Sequence, residues 1–227
     1  MKPSLLELDL DADALLIMQR PNLQQKDGTL NEIVFRVSAK HLSMASPVFH
    51  RLIKGDFRES KPNDQGLLEL RTSDWNAQAL LVLLDIIHGH HSHVSKELSQ
   101  EIVAHVALIA GNYNCVDIVK VVYHGWEARF GNDWGRNDFE SNWPDTNNQG
   151  LSHFGKTQQF QLFIAWTFQS ELVFNNLAAN AILTASGPIE TYLPLPRRVT
   201  YNLDRWRLVL LEQLFDKLSA LADSPGT

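Results

Sequence analysis

The densest chemistry in this sequence is histidine. His88, His90, His91 and His93 lie in the run HGHHSH. Four imidazoles that close together could hold zinc, nickel or copper, since neutral imidazole suits all three. Structural zinc sites, however, usually close on two separated ligand pairs, and fixed catalytic sites want ligands on rigid elements. Only His105, on a different expected helix, offers a nearby partner. The run is therefore expected to be a polar loop between two helices, with no metal and no cofactor assigned. A metal-dependent enzyme using HGHHSH is the remote alternative, and adventitious nickel binding would not be a function. His105 sits among Ile102, Val106 and Ile109 at helix spacing, which predicts a packed or edge histidine. The single cysteine, Cys115, has no adjacent histidine or cationic pair to lower its pKa. A pairing with His124 would need the helix to fold back. There is no G-x-S-x-G elbow, no Gly-rich phosphate loop and no H-E-x-x-H. No catalytic residue is assigned, and the chain is not expected to be an enzyme.

Composition narrows the classes further. The chain has 227 residues, 44% of them apolar and 20% charged, which predicts globular domains rather than disorder. A net charge of −6 argues against a dedicated nucleic-acid surface, which needs clustered Lys and Arg. No apolar run is long enough to span a bilayer, and MKPSLLELDLDADALL lacks the features of a secretory signal. A lone cysteine forms no internal disulfide, so a reducing compartment, cytoplasmic or nuclear, is expected.

The elements that must position these residues centre on 31–60, NEIVFRVSAKHLSMASPVFHRLIKGDFRES. Ile33, Phe35 and Val37 alternate with polar positions, as in a half-buried strand. Leu42, Ala45, Val48, Phe49, Leu52 and Ile53 then recur at spacings of three and four, as on two short helices sharing an apolar side. Ser46 is a natural N-cap, Pro47 suits a first helical turn, and Gly55 suits a helix stop.

Phe35, Leu42, Ser46, Pro47 and Phe49 keep every spacing of the F-x-x-x-x-x-x-L-x-x-x-S-P-x-F pattern, and this stretch resembles the BTB/POZ domain. Many animal members carry a histidine where this chain has Ser38. Gly55, Phe57, Glu59 and Ser60 look like that family's loop after its second helix. IIHGH at 86–90, LFIAWTFQSELVF and RWRLVLLEQLFDKL resemble segments of fungal BTB-domain proteins. The resemblance implies an α+β fold, a small sheet flanked by helical hairpins. It also implies a scaffold-binding role for the loop at Phe57, Arg58 and Glu59, as in BTB domains serving cullin-type ubiquitin ligases. Phe57 matches the loop's apolar residue; the other reading tucks it onto the core.

Along the chain, ADALLIM at 12–18 predicts a first strand, joined by a long loop to the strand at 32–37, and LLELR at 67–71 a third. Asp74 is expected to cap a helix running to about His88, with Trp75 on its apolar face, and Ser95 or Ser99 to cap the next. A further helix follows Asn114–Cys115. The Asn-, Asp- and Gly-rich stretch at 127–155 reads as a polar loop, in which Trp134, Phe139 and Trp143 either anchor the loop or form an exposed recognition surface. A helical extension is expected over 156–222, with a break near Ser170 and a stop at Gly187 and Pro188. Its last helix should be amphipathic.

The organisation expected is a BTB/POZ domain at 9–126, the loop at 127–155 and an all-helical C-terminal extension at 156–222. As that resemblance implies, the function would be protein–protein interaction, by self-association or as adaptor to a cullin-type ubiquitin ligase scaffold. The alternative is a transcription-linked or structural oligomerisation protein without a scaffold. Nucleic acid, membrane and small-molecule substrate are not expected as partners. BTB members that form swapped homodimers use a longer N-terminal helix than MKPSLLELDL offers, so that dimer is not expected.

Overall fold

The computed structural model describes residues 4–22, 32–130 and 154–223. The chain is α+β, and it divides into two compact units, Met1–Phe130 and Gly131–Thr227.

The first unit is built on a mixed four-stranded sheet ordered β1-β3-β2-β4. Strand β2 (Ala14–Gln19) pairs antiparallel with β3 (Ile33–Val37), with Leu16 opposite Phe35. Strand β4 (Leu68–Ser73) runs parallel to β2 on its other side. These are the three strands expected from the sequence. The fourth, β1 (Ser4–Glu7), runs parallel to β3 and is not among the strands expected from the sequence. In β3 the buried set includes Val34 as well as Phe35 and Val37, so this strand is covered on more than the one face alternation implies.

The helical turn of events after β3 follows local rules closely. Helix α1 (Ala39–Ala45) ends at Ser46, which caps α2 (Pro47–Lys54) by accepting from the backbone N–H groups of Val48 and Phe49. Pro47 occupies the first turn, where its missing donor costs nothing. Gly55 ends α2 in extended backbone (φ −82°), so it is not there for a left-handed turn. A Cβ at this position would lie 2.5 Å from the Arg51 carbonyl oxygen and under 3 Å from the Phe57 ring. Close approach, rather than φ, requires the glycine.

Helix α3 (Ala77–Ile87) corrects the expected cap. Asp74 sits in left-handed backbone (φ 64°) and pairs with Arg20 at 2.8 Å, while Asn76 accepts from the Ala79 N–H and starts the helix. Trp75 accordingly precedes the helix. Nearly every position of α3 is buried, as in a helix enclosed on all sides rather than laid on a surface. Ser99 caps α4 (Gln100–Asn112), and α5 (Val116–Phe130) continues past residue 126.

The second unit is described over α6 (Lys156–Phe168), α7 (Glu171–Thr184) and α8 (Arg197–Ala222). The break falls where expected, with Gln169 left-handed (φ 61°) and Ser170 at the start of α7. Phe160, Phe163, Ile164 and Phe168 are buried, with Leu177 and Ala181 from α7. Asn180 is buried among them with neither end of its amide hydrogen-bonded to a described residue. Trp134, Phe139 and Trp143 lie outside the described residues. Among the described residues no helix is long and apolar enough to cross a membrane.

Phe49 tests the helix placement directly. It is 1% exposed and stacks on Tyr113 with centroids 4.2 Å apart and an interplanar angle of 11°. Phe49→Ala is expected to destabilise the first unit by about 3–5 kcal/mol in urea unfolding, through the lost burial and the cavity left behind. A loss below about 1 kcal/mol would place Phe49 outside the core.

Candidate functional site

The end of α3 is shaped by its capping chemistry. Gly89 takes φ 77°, donates its N–H to the Ile86 carbonyl, and is followed by a His90 N–H on the Asp85 carbonyl at 2.8 Å. This pair of bonds is a Schellman closure, for which glycine is the favoured residue at the left-handed position. The chain therefore folds back over the last turn of α3. A further bond, from the His93 N–H to the His90 carbonyl at 2.9 Å, continues the turn.

Within this turn the histidines separate into different roles. His88 is half-buried and fully engaged: the Ser38 N–H donates to its Nε2 at 3.0 Å, and its Nδ1 lies 2.8 Å from the Leu84 carbonyl. That pattern fixes the neutral tautomer with the proton on Nδ1. Burial accordingly pushes its pKa below the ordinary histidine value, outweighing the Leu84 carbonyl, which acts the other way. His88 is a structural link from α3 to the start of α1. Asp9 and His41 lie close to it, with His41 Nδ1 3.8 Å from Asp9 Oδ2. Since both ring nitrogens of His88 are already used, that group offers no third free ligand.

His90 and His93 instead converge on Asp85. Their Nδ1 atoms lie 3.4 and 3.8 Å from the same Asp85 Oδ1, and the two rings are 5.3 Å apart. Asp85 is largely buried, its side chain 12% exposed. His91 is exposed and outside this group. From the sequence, His105 is the expected outside partner; the structure supplies Asp85 instead, from the helix that the turn folds back upon. The signal in the sequence is a carboxylate three residues before the first histidine of the run, on a helix whose only other polar residue is Gln78.

The loop after α2 places its three residues differently. Phe57 is 52% exposed although its ring edge lies against Gly55, Arg58 is exposed, and Glu59 is half-buried. Arg58–Ser60 form one 3-10 turn, closed by the Ser60 hydroxyl donating to the Phe57 carbonyl at 2.7 Å. Cys115 is buried, and desolvation raises its thiol to about 12, so it is protonated and unreactive at neutral pH. His124 is exposed and faces Glu127 at 3.5 Å. Many exposed apolar side chains among the described residues lie on α8, where only Val199 and Leu203 are buried. Trp206, Leu210, Leu214 and Leu218, four residues apart, are 61, 43, 52 and 52% exposed. Here the expected amphipathic helix is present, but its apolar ridge has no cover among the described residues.

No family model matches the chain, and no curated protein matches it.

His88 makes a pH-dependent link. A histidine whose folded pKa is depressed contributes full stability above its unfolded pKa and loses it as pH falls through that value, because the unfolded chain takes up the proton first. Between about pH 7.5 and pH 5 the wild-type chain should lose more stability than His88→Gln. Urea midpoints measured across that range check this. Equal losses in the two proteins would mean that His88 is not the group being protonated.

Proposed function

We propose that the chain is a BTB/POZ-type protein-interaction module that works by contact rather than by chemistry. One observation carries the contact reading: α8 holds Trp206, Leu210, Leu214 and Leu218 in solvent along a single ridge. Contiguous exposed apolar surface of this kind marks interaction sites, since isolated apolar side chains are common but aligned runs are not. The BTB reading of the first unit is supported by the order of its elements. A strand pair is followed by two short helices joined at Ser46–Pro47, then a strand and helices packed in pairs. It is also supported by Phe57, the apolar residue of the loop that the resemblance marks for contact, being half in solvent.

On this reading the partner is a cullin-type scaffold or a second copy of the chain, in a cytoplasmic or nuclear setting. Phe57, Arg58 and Glu59 contribute to the scaffold face, and α8 offers a protein-binding surface of its own. Aromatic anchors surrounded by less critical contacts are the usual energetic pattern of such surfaces. Self-association without a scaffold, as in a structural or transcription-linked oligomer, is the competing reading.

Light scattering on a size-exclusion column, with the chain alone and then with a cullin N-terminal domain, separates the two. A defined complex with the scaffold is expected, and Phe57→Ala should weaken it by about 2 kcal/mol, some ~30-fold in Kd, with an unchanged melting curve. A stable oligomer that ignores the scaffold would replace the adaptor reading with self-assembly. A chain that stays monomeric and unbound in both runs would overturn the adaptor and self-association readings together.

A further inference from the structure

The HGHHSH turn has more order than a polar connection needs. Asp85 offers its Oδ1 to two imidazole nitrogens, at 3.4 Å from His90 Nδ1 and 3.8 Å from His93 Nδ1. Both separations exceed the 2.7–3.2 Å of a good N–H···O hydrogen bond. The His90 separation is close to a different length, and the His93 separation is within half an ångström of it. With metal–ligand bonds of about 2.0–2.1 Å, the edge of a tetrahedron of ligands is roughly 3.3–3.4 Å. All three donor atoms lie within 4.8 Å of one another, so a rotation of the half-buried His90 ring and the exposed His93 ring brings them onto one ion.

Position and charge support the same conclusion. Asp85 is largely buried, and among the described residues no Lys or Arg pairs with it. A carboxylate held out of water needs a cation or several donors. The backbone around it is fixed by the Schellman closure at Gly89 and by the His93 N–H on the His90 carbonyl. One end of the turn is tied further by His88, which holds the Ser38 N–H and the Leu84 carbonyl. Rigid placement of this kind distinguishes a built site from the histidines of a flexible tail.

We propose that Asp85, His90 and His93 form a three-ligand site for a zinc-class divalent cation. Two imidazoles and one carboxylate select late first-row ions such as Zn2+, Ni2+ or Cu2+ over Mg2+ and Ca2+, which prefer all-oxygen sets. His88 is no ligand, because both its ring nitrogens are occupied. His91 is none either, standing outside the group. Three protein ligands leave a fourth position of a tetrahedral ion for a water or a side chain of a bound protein. The ion ties the turn before α4 to the buried end of α3 and neutralises Asp85. This inference does not rest on the interaction role proposed above, and either stands if the other fails.

The test uses the full chain without a histidine tag, stripped with EDTA, desalted and titrated with ZnCl2 at neutral pH by isothermal calorimetry. The expected result is one saturable Zn2+ per chain, with a raised melting temperature on loading. His93→Ala should weaken that site about 10–100-fold or more, since losing even an outer-shell partner of a metal site costs that much. His93 has a side chain 67% exposed, so this variant keeps its fold and carries the test even where Asp85→Asn unfolds. His91→Ala should leave the site unchanged. Absence of one-to-one binding would overturn the proposal, leaving the cluster as a polar contact between Asp85 and two histidines. Binding that survives His93→Ala, or that falls equally with His91→Ala, would overturn it too, as adventitious imidazole binding.

Discussion

The first unit depends on one buried hydroxyl. Ser46 is fully buried; it accepts from the Val48 and Phe49 N–H groups and donates to the carbonyl of Tyr113. The first two bonds are an ordinary helix cap and follow from the serine before Pro47. The third joins two parts of the chain distant in sequence, because Tyr113 stands at the end of α4, where helix carbonyls run out of partners. The same tyrosine stacks on Phe49 and meets the Thr72 hydroxyl at 2.8 Å. A local rule about starting a helix thus also fixes α1 and α2 against α4 and the sheet. Without the hydroxyl, buried N–H and C=O groups would lose their partners together, which costs more than the bonds themselves contribute.

A second link works on the other end of the same layer. The Ser38 N–H caps nothing in its own helix; it is taken by His88 from the end of α3. Ser38 and Ser46 bracket α1, so this short helix is held at its two ends by α3 and α4. A seven-residue helix is too short to be stable alone, and tertiary ties of this kind are what keep it folded. One consequence reaches the histidine turn. Since His88 is immobilised, the residues after it leave α3 from a fixed point and in a fixed direction.

What could be read from the sequence follows the range of the forces involved. Strands β2, β3 and β4, the Ser46 cap, Pro47 and the break at Ser170 all depend on residues within a few positions of each other, and alternation and capping rules find them. The misses involve partners far along the chain. Asp74 looks like a cap, but the guanidinium of Arg20 takes its carboxylate, and the role passes to Asn76. Strand β1 has only four residues and depends on the exposed edge of β3 for its hydrogen bonds. Phe57 could be placed in its loop but not in or out of solvent, because that depends on the Gly55 contact. For the candidate metal site the histidines are visible, while Asp85 is hidden within a helix whose other positions, Gln78 apart, are apolar.

The way Asp85 enters that group shows how little backbone novelty the site requires. Among the described residues the same closure ends three helices. His90 returns its N–H to the Asp85 carbonyl, Cys115 to Ala110 and Ser170 to Ala165, each after a left-handed residue, Gly89, Asn114 or Gln169. In each case the residue after the left-handed position is carried back over the last helical turn. At Cys115 the surroundings are apolar, so the thiol is buried, protonated and inert. At Ser170 the closure serves the start of α7. Only after α3 do the residues at the two ends of the closure have complementary chemistry, a carboxylate beneath and an imidazole above. The backbone device is generic, and the difference between a packed joint and a ligand set lies in two side chains. Chemistry specific to this turn therefore depends on Asp85 and His90 being paired by the closure, and on His93 completing the next turn within reach of the same oxygen.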